Sequence, residues 1–297
     1  MQVIEIRGLT RDYGGGRGVF DLSFGVEHGE CAGFLGPNGA GKTTTIRHLM
    51  GFLKPKQGVC RINAMDCLAD RAVIQCALGY IPGEIAFMQN STGLGFIKFM
   101  AAYRGLSDLS RAHALMERFE LDAAGKIKKM SKGMKQKVGI VCAFMHDPAV
   151  YILDEPTAGL DPLMQSRFVE LLAEEKARGK TILMSSHSFD EVERTCDRVA
   201  IIKEGRLVTM AAIDELRAKQ RRTYVVTLRD EDAAAAFAAE PAIAAEPLAA
   251  RVRVAVGNDL SPFIAAMSRH AVTAIDAEGQ SLEDVFMHFY DGGGEES

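Results

Sequence analysis

Gly36-Pro37-Asn38-Gly39-Ala40-Gly41-Lys42-Thr43 is the stretch on which the reading of this chain turns. It fits the pattern G-x-x-x-x-G-K-[ST]. Directly before it, residues 31–35 (CAGFL) form an apolar run whose length suits a buried strand. Directly after it, residues 43–50 carry helical patterning. Strand, glycine-rich loop and helix form the context that gives the pattern chemical meaning. Glycines let the backbone curl so that successive N–H groups point inward at phosphate oxygens. The following helix adds the positive end of its dipole. Gly36, Pro37, Asn38, Gly39, Ala40, Gly41, Lys42, Thr43 and Thr44 are therefore expected to cradle the phosphates of a nucleoside triphosphate. Lys42 should reach the β- and γ-phosphates and the Thr43 hydroxyl should ligate Mg²⁺.

A hydrolytic site also needs a carboxylate for the metal and a group that activates water. Asp154-Glu155 supplies both, at the end of the apolar run 150–153. Successive strand residues face opposite ways, so the two carboxylates are read with separate tasks. Asp154 suits the metal shell and Glu155 suits a general base. Pro156 is expected to end the strand, at the carboxyl edge where open α/β sheets bind ligands.

Outward from these two motifs the chain alternates. Residues 3–6 and 20–26 read as strands, 165–176 as a helix and 181–184 as a further buried strand. Residues 94–130 are mostly helical in pattern, with Leu109, Ala112, Leu115, Met116 and Phe119 on one face of 108–120. Strands alternating with helices imply a parallel sheet covered on both faces. Composition shifts near residue 218. A strand (223–228), an Ala-rich helix, a strand (251–256), a helix (260–270), a strand (271–277) and a final helix (282–290) then suggest a separate βαβαβα segment, with a disordered GGGEES tail.

The 297 residues leave ample material for a core, and 47% apolar with 25% charged residues is an ordinary globular balance. With 35 basic and 39 acidic residues the net charge is −4, so no global basic surface points to nucleic acid and none is expected as a partner. A spanning helix needs about 20 mostly apolar residues. The best apolar run, 138–145, is far shorter, and Glu240, Pro241, Glu246 and Pro247 interrupt the Ala-rich stretch. Glu5 and Arg7 interrupt the first apolar run, which does not read as a signal peptide. The six cysteines show no CxxC pair and no zinc-like spacing, and are expected to be small core residues.

These motifs, in this order, resemble the ATP-binding subunit of an ABC transporter, over about residues 1–217. Tyr13 precedes the phosphate loop, as the adenine-stacking aromatic does in that family. Met130-Ser131-Lys132-Gly133-Met134-Lys135-Gln136 stands where the signature motif stands, Ala158-Gly159-Leu160-Asp161 resembles the D-loop, and His187 falls where the switch histidine falls. The resemblance implies a P-loop NTPase cassette of α/β class, a RecA-like core with an antiparallel β subdomain and a helical subdomain at about 84–130. Residues 218–297 are expected to form a small C-terminal α+β domain. It implies ATP and Mg²⁺, and a head-to-tail pairing with a second copy or a homologous ATPase subunit. In that pairing Ser131 and Gly133 face the γ-phosphate of the partner's ATP, Asp161 crosses the interface, and His187 contacts the γ-phosphate. Taken alone, Ser131 is also an N-cap, and both roles can hold at once.

Two positions depart from the family pattern. After the strand 78–82, where Gln or Glu is usual, the chain has Gly83 and then Glu84. Either Glu84 takes the metal- and water-sensing role in a shifted register, or that role is weakened. Lys132 replaces the usual glycine of the signature and reads as a solvent-facing lysine. Both departures, YIPGE and SKGMKQK, together with the terminal SLEDVFMHFY, are similar to the ATPases paired with ABC-2-type membrane subunits, the drug- and antibiotic-export group. The resemblance thus implies an export motor, cytoplasmic and peripheral on the inner face of the cell membrane, bound to a polytopic permease. Phe87, Met88, Phe96 and Phe99 are the candidate contacts with that permease. The alternatives are a soluble ABC-type ATPase acting on a macromolecular complex, and a P-loop kinase or nucleotide-binding regulator.

Overall fold

The computed structural model describes the chain apart from residues 89, 219–221, 242, 257–258 and 280–297. The helix expected at 282–290 and the GGGEES tail lie outside the described residues. The chain divides into two compact units, Met1–Ile213 and Asp214–Ser297. The division falls four residues before the compositional shift at 217/218, because contacts and composition change at different points. Ile213 is 2% exposed and its N–H donates to the Asp197 carbonyl at 2.8 Å, which ties it to the first unit at the very start of the helix that follows.

In the first unit, β1 (Gln2–Asp12) and β2 (Gly18–Glu27) form an antiparallel pair, both longer than their apolar cores suggested. β3 (Cys31–Leu35) leads into α1 (Lys42–Leu49). β4 (Gln57–Ile62) and β5 (Met65–Asp66) complete a four-stranded antiparallel sheet of order β2-β1-β4-β5. Then come α2 (Arg71–Ala77), β6 (Leu78–Ile81), α3 (Gly93–Tyr103), α4 (Ser110–Arg118) and α5 (Lys132–Phe144). The last stretch is β7 (Val150–Asp154), α6 (Pro162–Ala177), β8 (Thr181–Ser186), α7 (Phe189–Thr195), β9 (Arg198–Lys203) and β10 (Arg206–Ala212).

The central sheet has the order β10-β9-β3-β8-β7-β6. It is parallel except for the β9–β10 hairpin at one edge. Every residue of β3, β7 and β8 is buried, which is why these strands read as unbroken apolar runs rather than alternating ones. The carboxyl ends of β3, β7 and β8 are thereby brought side by side, each one continuing into a motif loop. α4 buries Ala112 and Leu115, with Phe119 fully buried just beyond it. Phe87 and Phe96 pack edge to face at 5.0 Å, whereas Met88 and Phe99 remain exposed. Five of the six cysteines are buried, Cys76 being the exposed one.

α8 (Ile213–Ala218) spans the division, and the second unit then holds β11 (Arg222–Leu228), α9 (Glu231–Ala238), β12 (Ala244–Leu248), β13 (Arg251–Val256), α10 (Ser261–Arg269) and β14 (Val272–Gly279). All its strand pairings are antiparallel, in the order β12-β13-β11-β14. Over the described residues this corrects the expected β-α-β-α-β series to β-α-β-β-α-β, the split βαβ arrangement. The unexpected strand is β12, hidden in the sequence by Pro247. An edge strand tolerates proline because one side of it needs no ladder donor.

Candidate functional site

The loop 36–41 wraps into α1 through Gly41, the N-cap, whose φ of 108° lies in the left-handed region that glycine adopts without strain. The loop is braced from behind, since Ala40 accepts from the Gly205 N–H at 2.9 Å. The Lys42 side chain, 5% exposed, turns back along the loop and donates to the carbonyls of Gly36 (2.6 Å) and Pro37 (3.2 Å). Burial pulls the pKa of its ammonium down, and the carboxylates of Glu155 and Asp154 oppose that pull. Thr43 is exposed on the first turn of α1 and Thr44 is half-buried.

Asp154 ends β7 and is 1% exposed. Its Oδ1 accepts from the Ser185 hydroxyl on the neighbouring β8 at 2.5 Å, whereas its Oδ2 is buried with no hydrogen-bond partner. A buried carboxylate oxygen left unpaired is costly. An oxygen-seeking divalent cation is the chemistry that satisfies it, so the residues fit Mg²⁺. Among the described residues no group of three or more His, Cys, Asp or Glu forms a self-contained metal cage. That suits a Mg²⁺ held by one carboxylate together with phosphate oxygens and water. The Asp154 charge also adds to burial in pushing the nearby Tyr80 phenol up to about 12.

Glu155 follows the strand in a left-handed backbone conformation, φ 48°. The separation of the two carboxylates therefore comes from a backbone turn and not from the strand alternation expected. Left-handed φ costs a non-glycine residue about 1–3 kcal/mol and persists only where the surroundings hold it. Here the Glu155 N–H donates to both the carbonyl (3.2 Å) and the hydroxyl (3.1 Å) of Ser185. The turn carries the Glu155 carboxylate between two cationic or basic groups. Lys42 Nζ lies 3.6 Å from Oε1, and His187 Nδ1 lies 3.6 Å from Oε2. His187 itself is 60% exposed. Beside Glu155 and His187 opens a cavity of about 230 Å³, lined further by Thr157, Gln165, Glu191 and Arg194.

The structure thus brings Lys42, Glu155 and His187 together, beside Asp154. The other expected site residues stand apart from this group. Tyr13 is half-exposed, with the Arg11 guanidinium over its ring at 5.4 Å. Ser131 caps α5 and accepts from the Met134 N–H at 3.2 Å, and Asp161 caps α6 and accepts from the Met164 N–H at 3.0 Å. Gly133 lies so close to the loop after Glu155 that a Cβ there would sit 2.6 Å from the Gly159 carbonyl. Lys132 is exposed, and its stem runs along Gly159. Glu84 is exposed, and it is the Gly83 backbone that meets the metal-type carboxylate: a Cβ there would lie 3.1 Å from Asp154 Oδ2.

Three contributors carried no role of their own in the sequence reading. Ser185 secures both Asp154 and Glu155. Gln136 donates to the Pro156 carbonyl at 2.7 Å, joining α5 to the loop after Glu155. Glu191 bonds Thr157 and Ser186. The available signal was polarity in the wrong place, since Ser185-Ser186 close a strand whose other residues are buried and mostly apolar.

Residues 19–158 match the family model described as ABC transporter. The chain is 34% identical over 298 residues to the Nod factor export ATP-binding protein I of Burkholderia lata, covering 96% of this chain and 95% of that protein. It is 36% identical to the bacitracin transport ATP-binding protein BcrA of Bacillus licheniformis, covering 78% and 77%. A solved ATP-binding subunit of an ABC transporter is 35% identical, with a TM-score of 0.68, over 73% of this chain and 92% of that one. With the phosphate loop, the buried Asp154 and the Glu155–His187 pair in one site, these likenesses identify the chain as a member of the ABC transporter ATPases, an ATP-binding and ATP-hydrolysing subunit of a transporter.

Proposed function

We propose that this chain is the motor of an ABC-2-type exporter. Two copies, or one copy and a homologous ATPase subunit, close head to tail around two ATP molecules and drive a separate polytopic membrane subunit. The observation that carries the reading is the Glu155 carboxylate, held 3.6 Å from both Lys42 Nζ and His187 Nδ1 beside a buried Asp154 with an unpartnered oxygen. The names of the Burkholderia and Bacillus relatives, export of Nod factor and transport of bacitracin, support the export direction.

Each residue then has a task. Backbone N–H groups of 36–44 hold the phosphates, and the Lys42 ammonium leaves the Gly36 and Pro37 carbonyls to meet the β- and γ-phosphate oxygens. Asp154 and the Thr43 hydroxyl hold Mg²⁺, which neutralises charge on the phosphates. Glu155 accepts the proton of a water as its oxygen attacks the γ-phosphorus and the bond to the β-phosphate oxygen breaks. His187 orients the γ-phosphate. Tyr13 stacks on adenine. Ser131 and Gly133 serve the γ-phosphate held by the other subunit, and Asp161 couples the two sites across the interface. Glu84 is the remaining candidate for sensing metal and water. Met88 and Phe99, exposed by 44% and 50%, are apolar surface suited to the membrane subunit, and the chain works peripherally on the inner face of the membrane.

The test is Glu155→Gln. Nucleotide affinity should stay at the wild-type level while turnover falls by about 100- to 10,000-fold, the range of a lost general base. Specific ATPase activity of the wild type should also rise with protein concentration, because each site takes half its parts from another subunit. Undiminished turnover in the variant would remove Glu155 from the assignment.

A further inference from the structure

The two residues proposed to act on the attacking water and the γ-phosphate, Glu155 and His187, stand on separate loops after β7 and β8. Their backbones depart from the central sheet where its regular hydrogen bonding ends. One side chain, Glu191 on α7, bonds both loops at once. Its Oε1 accepts from the Thr157 hydroxyl at 2.6 Å, two residues beyond Glu155. Its Oε2 accepts from the Ser186 hydroxyl, also at 2.6 Å, one residue before His187.

The bonding continues past the first contact. Ser186 Oγ, which donates to Glu191, accepts the Ser188 N–H at 3.0 Å, so the backbone on either side of His187 is closed into a turn. On the Glu191 side, the Thr195 hydroxyl donates to the Glu191 carbonyl at 2.7 Å and adds to the last turn of α7. Val192 beside it is fully buried and anchors the helix. A hydroxyl has a single proton to give. At 2.6 Å, Thr157 and Ser186 each meet one oxygen of the same carboxyl group, which for Ser186 is a closer and charged acceptor than the Ser188 carbonyl at 3.2 Å. Glu191 faces the cavity that Glu155 and His187 also line.

We infer that Glu191 is a positioning residue for hydrolysis, a clasp that fixes the Glu155 loop against the His187 loop and sets the 3.6 Å approach of the two functional side chains. The inference rests on the roles proposed above for Glu155 and His187. Its physical basis is the left-handed backbone at Glu155, which persists only while neighbouring contacts hold it. Ser185 holds that residue from the strand side, and Glu191 holds the same loop two residues further on, at Thr157. Glu191 touches neither ATP nor water in this scheme, so its loss displaces reacting groups without removing one.

Steady-state hydrolysis by the full chain, measured as phosphate release against ATP concentration, tests the clasp. Glu191→Ala should lower kcat by about 100-fold, the scale of a displacement near 1 Å in an active site. KM for ATP should change less than about twofold and nucleotide affinity should be unmoved. Glu191→Gln keeps one carbonyl oxygen for a hydroxyl and should recover about tenfold of the loss. Thr157→Val removes one side of the clasp with little change in shape, and should lower kcat without shifting the melting temperature. Combined with His187→Ala, the Glu191→Ala loss should shrink to less than about threefold, because both act on one constellation. Wild-type kcat in Glu191→Ala would overturn the inference. So would losses of kcat, nucleotide affinity and melting temperature in parallel, with no recovery in Glu191→Gln and none of the kcat effect in Thr157→Val. Glu155→Gln separates the two levels: if it hydrolyses ATP normally, the reading of Glu155 falls, whereas an inactive Glu155→Gln beside a fully active Glu191→Ala sinks the clasp alone.

Discussion

The two units bury their interiors differently. In Asp214–Ser297 the described core is apolar throughout, built from Val226, Leu228, Phe237, Val252, Val254 and Phe263 with small alanines between them. In Met1–Ile213 a similar apolar interior also contains Lys42, Asp154 and Glu175 at 5%, 1% and 2% exposure. Burying charge is expensive unless it is paired, and these residues meet that cost in two ways. Glu175 is fully satisfied: Arg111 donates to it at 2.6 Å, Arg178 at 3.0 Å and the Tyr151 hydroxyl at 2.8 Å. Asp154 is half satisfied, with one oxygen bonded and the other bare. Glu175, completely paired, thus serves structure, whereas Asp154, with one oxygen open, belongs to the site.

That contrast can be attacked at four points of decreasing effect. Lys42→Ala removes the one buried ammonium facing the phosphate loop. ATP turnover should drop by about 1,000-fold, the upper range for a lost charge-stabilising donor, and an enzyme assay that finds full activity would break the contrast. Glu175→Ala leaves Arg111 and Tyr151 facing a gap. The first unit should lose about 3 kcal/mol of stability by chemical denaturation, the upper range for a buried hydroxyl left unsatisfied, while the per-molecule rate of the folded fraction holds. Phe237→Ala opens a cavity in the apolar core of the second unit. Calorimetry should show about 3 kcal/mol lost from that unit's transition, with kcat unchanged.

The smallest effect concerns pH. His146 donates through Nε2 to the Leu78 carbonyl at 3.0 Å, and its Nδ1 is buried without a partner. Burial, reinforced by Arg104, lowers its pKa from 6.5 to about 4. The folded state thus favours the neutral ring, and between pH 4 and 6.5 the unfolded chain binds more protons. Stability should therefore be complete above pH 6.5 and fall as pH drops toward 4, with about 2 kcal/mol lost from this group by about pH 5. A pH series of denaturation midpoints checks it. His146→Gln should flatten the slope in that window, and an unchanged slope would place the titration elsewhere.

Much of the cassette was legible because its signals are local. The phosphate loop sits between a strand and a helix that each announce themselves by apolar pattern, and β3, β7 and β8 are buried on both faces and so read as continuous runs. β12 was not legible, since Pro247 argues against a strand until the fold places that strand at an edge. The separation of Asp154 from Glu155 was expected from strand alternation, whereas the structure achieves it by a left-handed turn at Glu155. Glu84 shows the limit of spacing: the position that meets Asp154 is Gly83, and only the path of the chain after β6 decides which of two neighbours points inward.

The sequence alone determined the chemistry available to this protein: a glycine loop with Lys42 and Thr43, an acidic pair after a buried strand, a histidine after the next one, and a second, separately composed C-terminal region. These follow from residue type and short-range periodicity, which are properties of neighbours along the chain. Which groups share a space was set by the packing of elements distant in the chain. Sheet order put β7 beside β8, so that Ser185 could clamp Asp154, Glu191 could bond Thr157 and Ser186, and Glu155 could come within 3.6 Å of Lys42 and His187. Apart from the Glu191–Ser186 bond, which spans five positions, such contacts join residues from 31 to more than a hundred positions apart. They are fixed by how twisted strands pack and where their backbones end, and no local pattern encodes that.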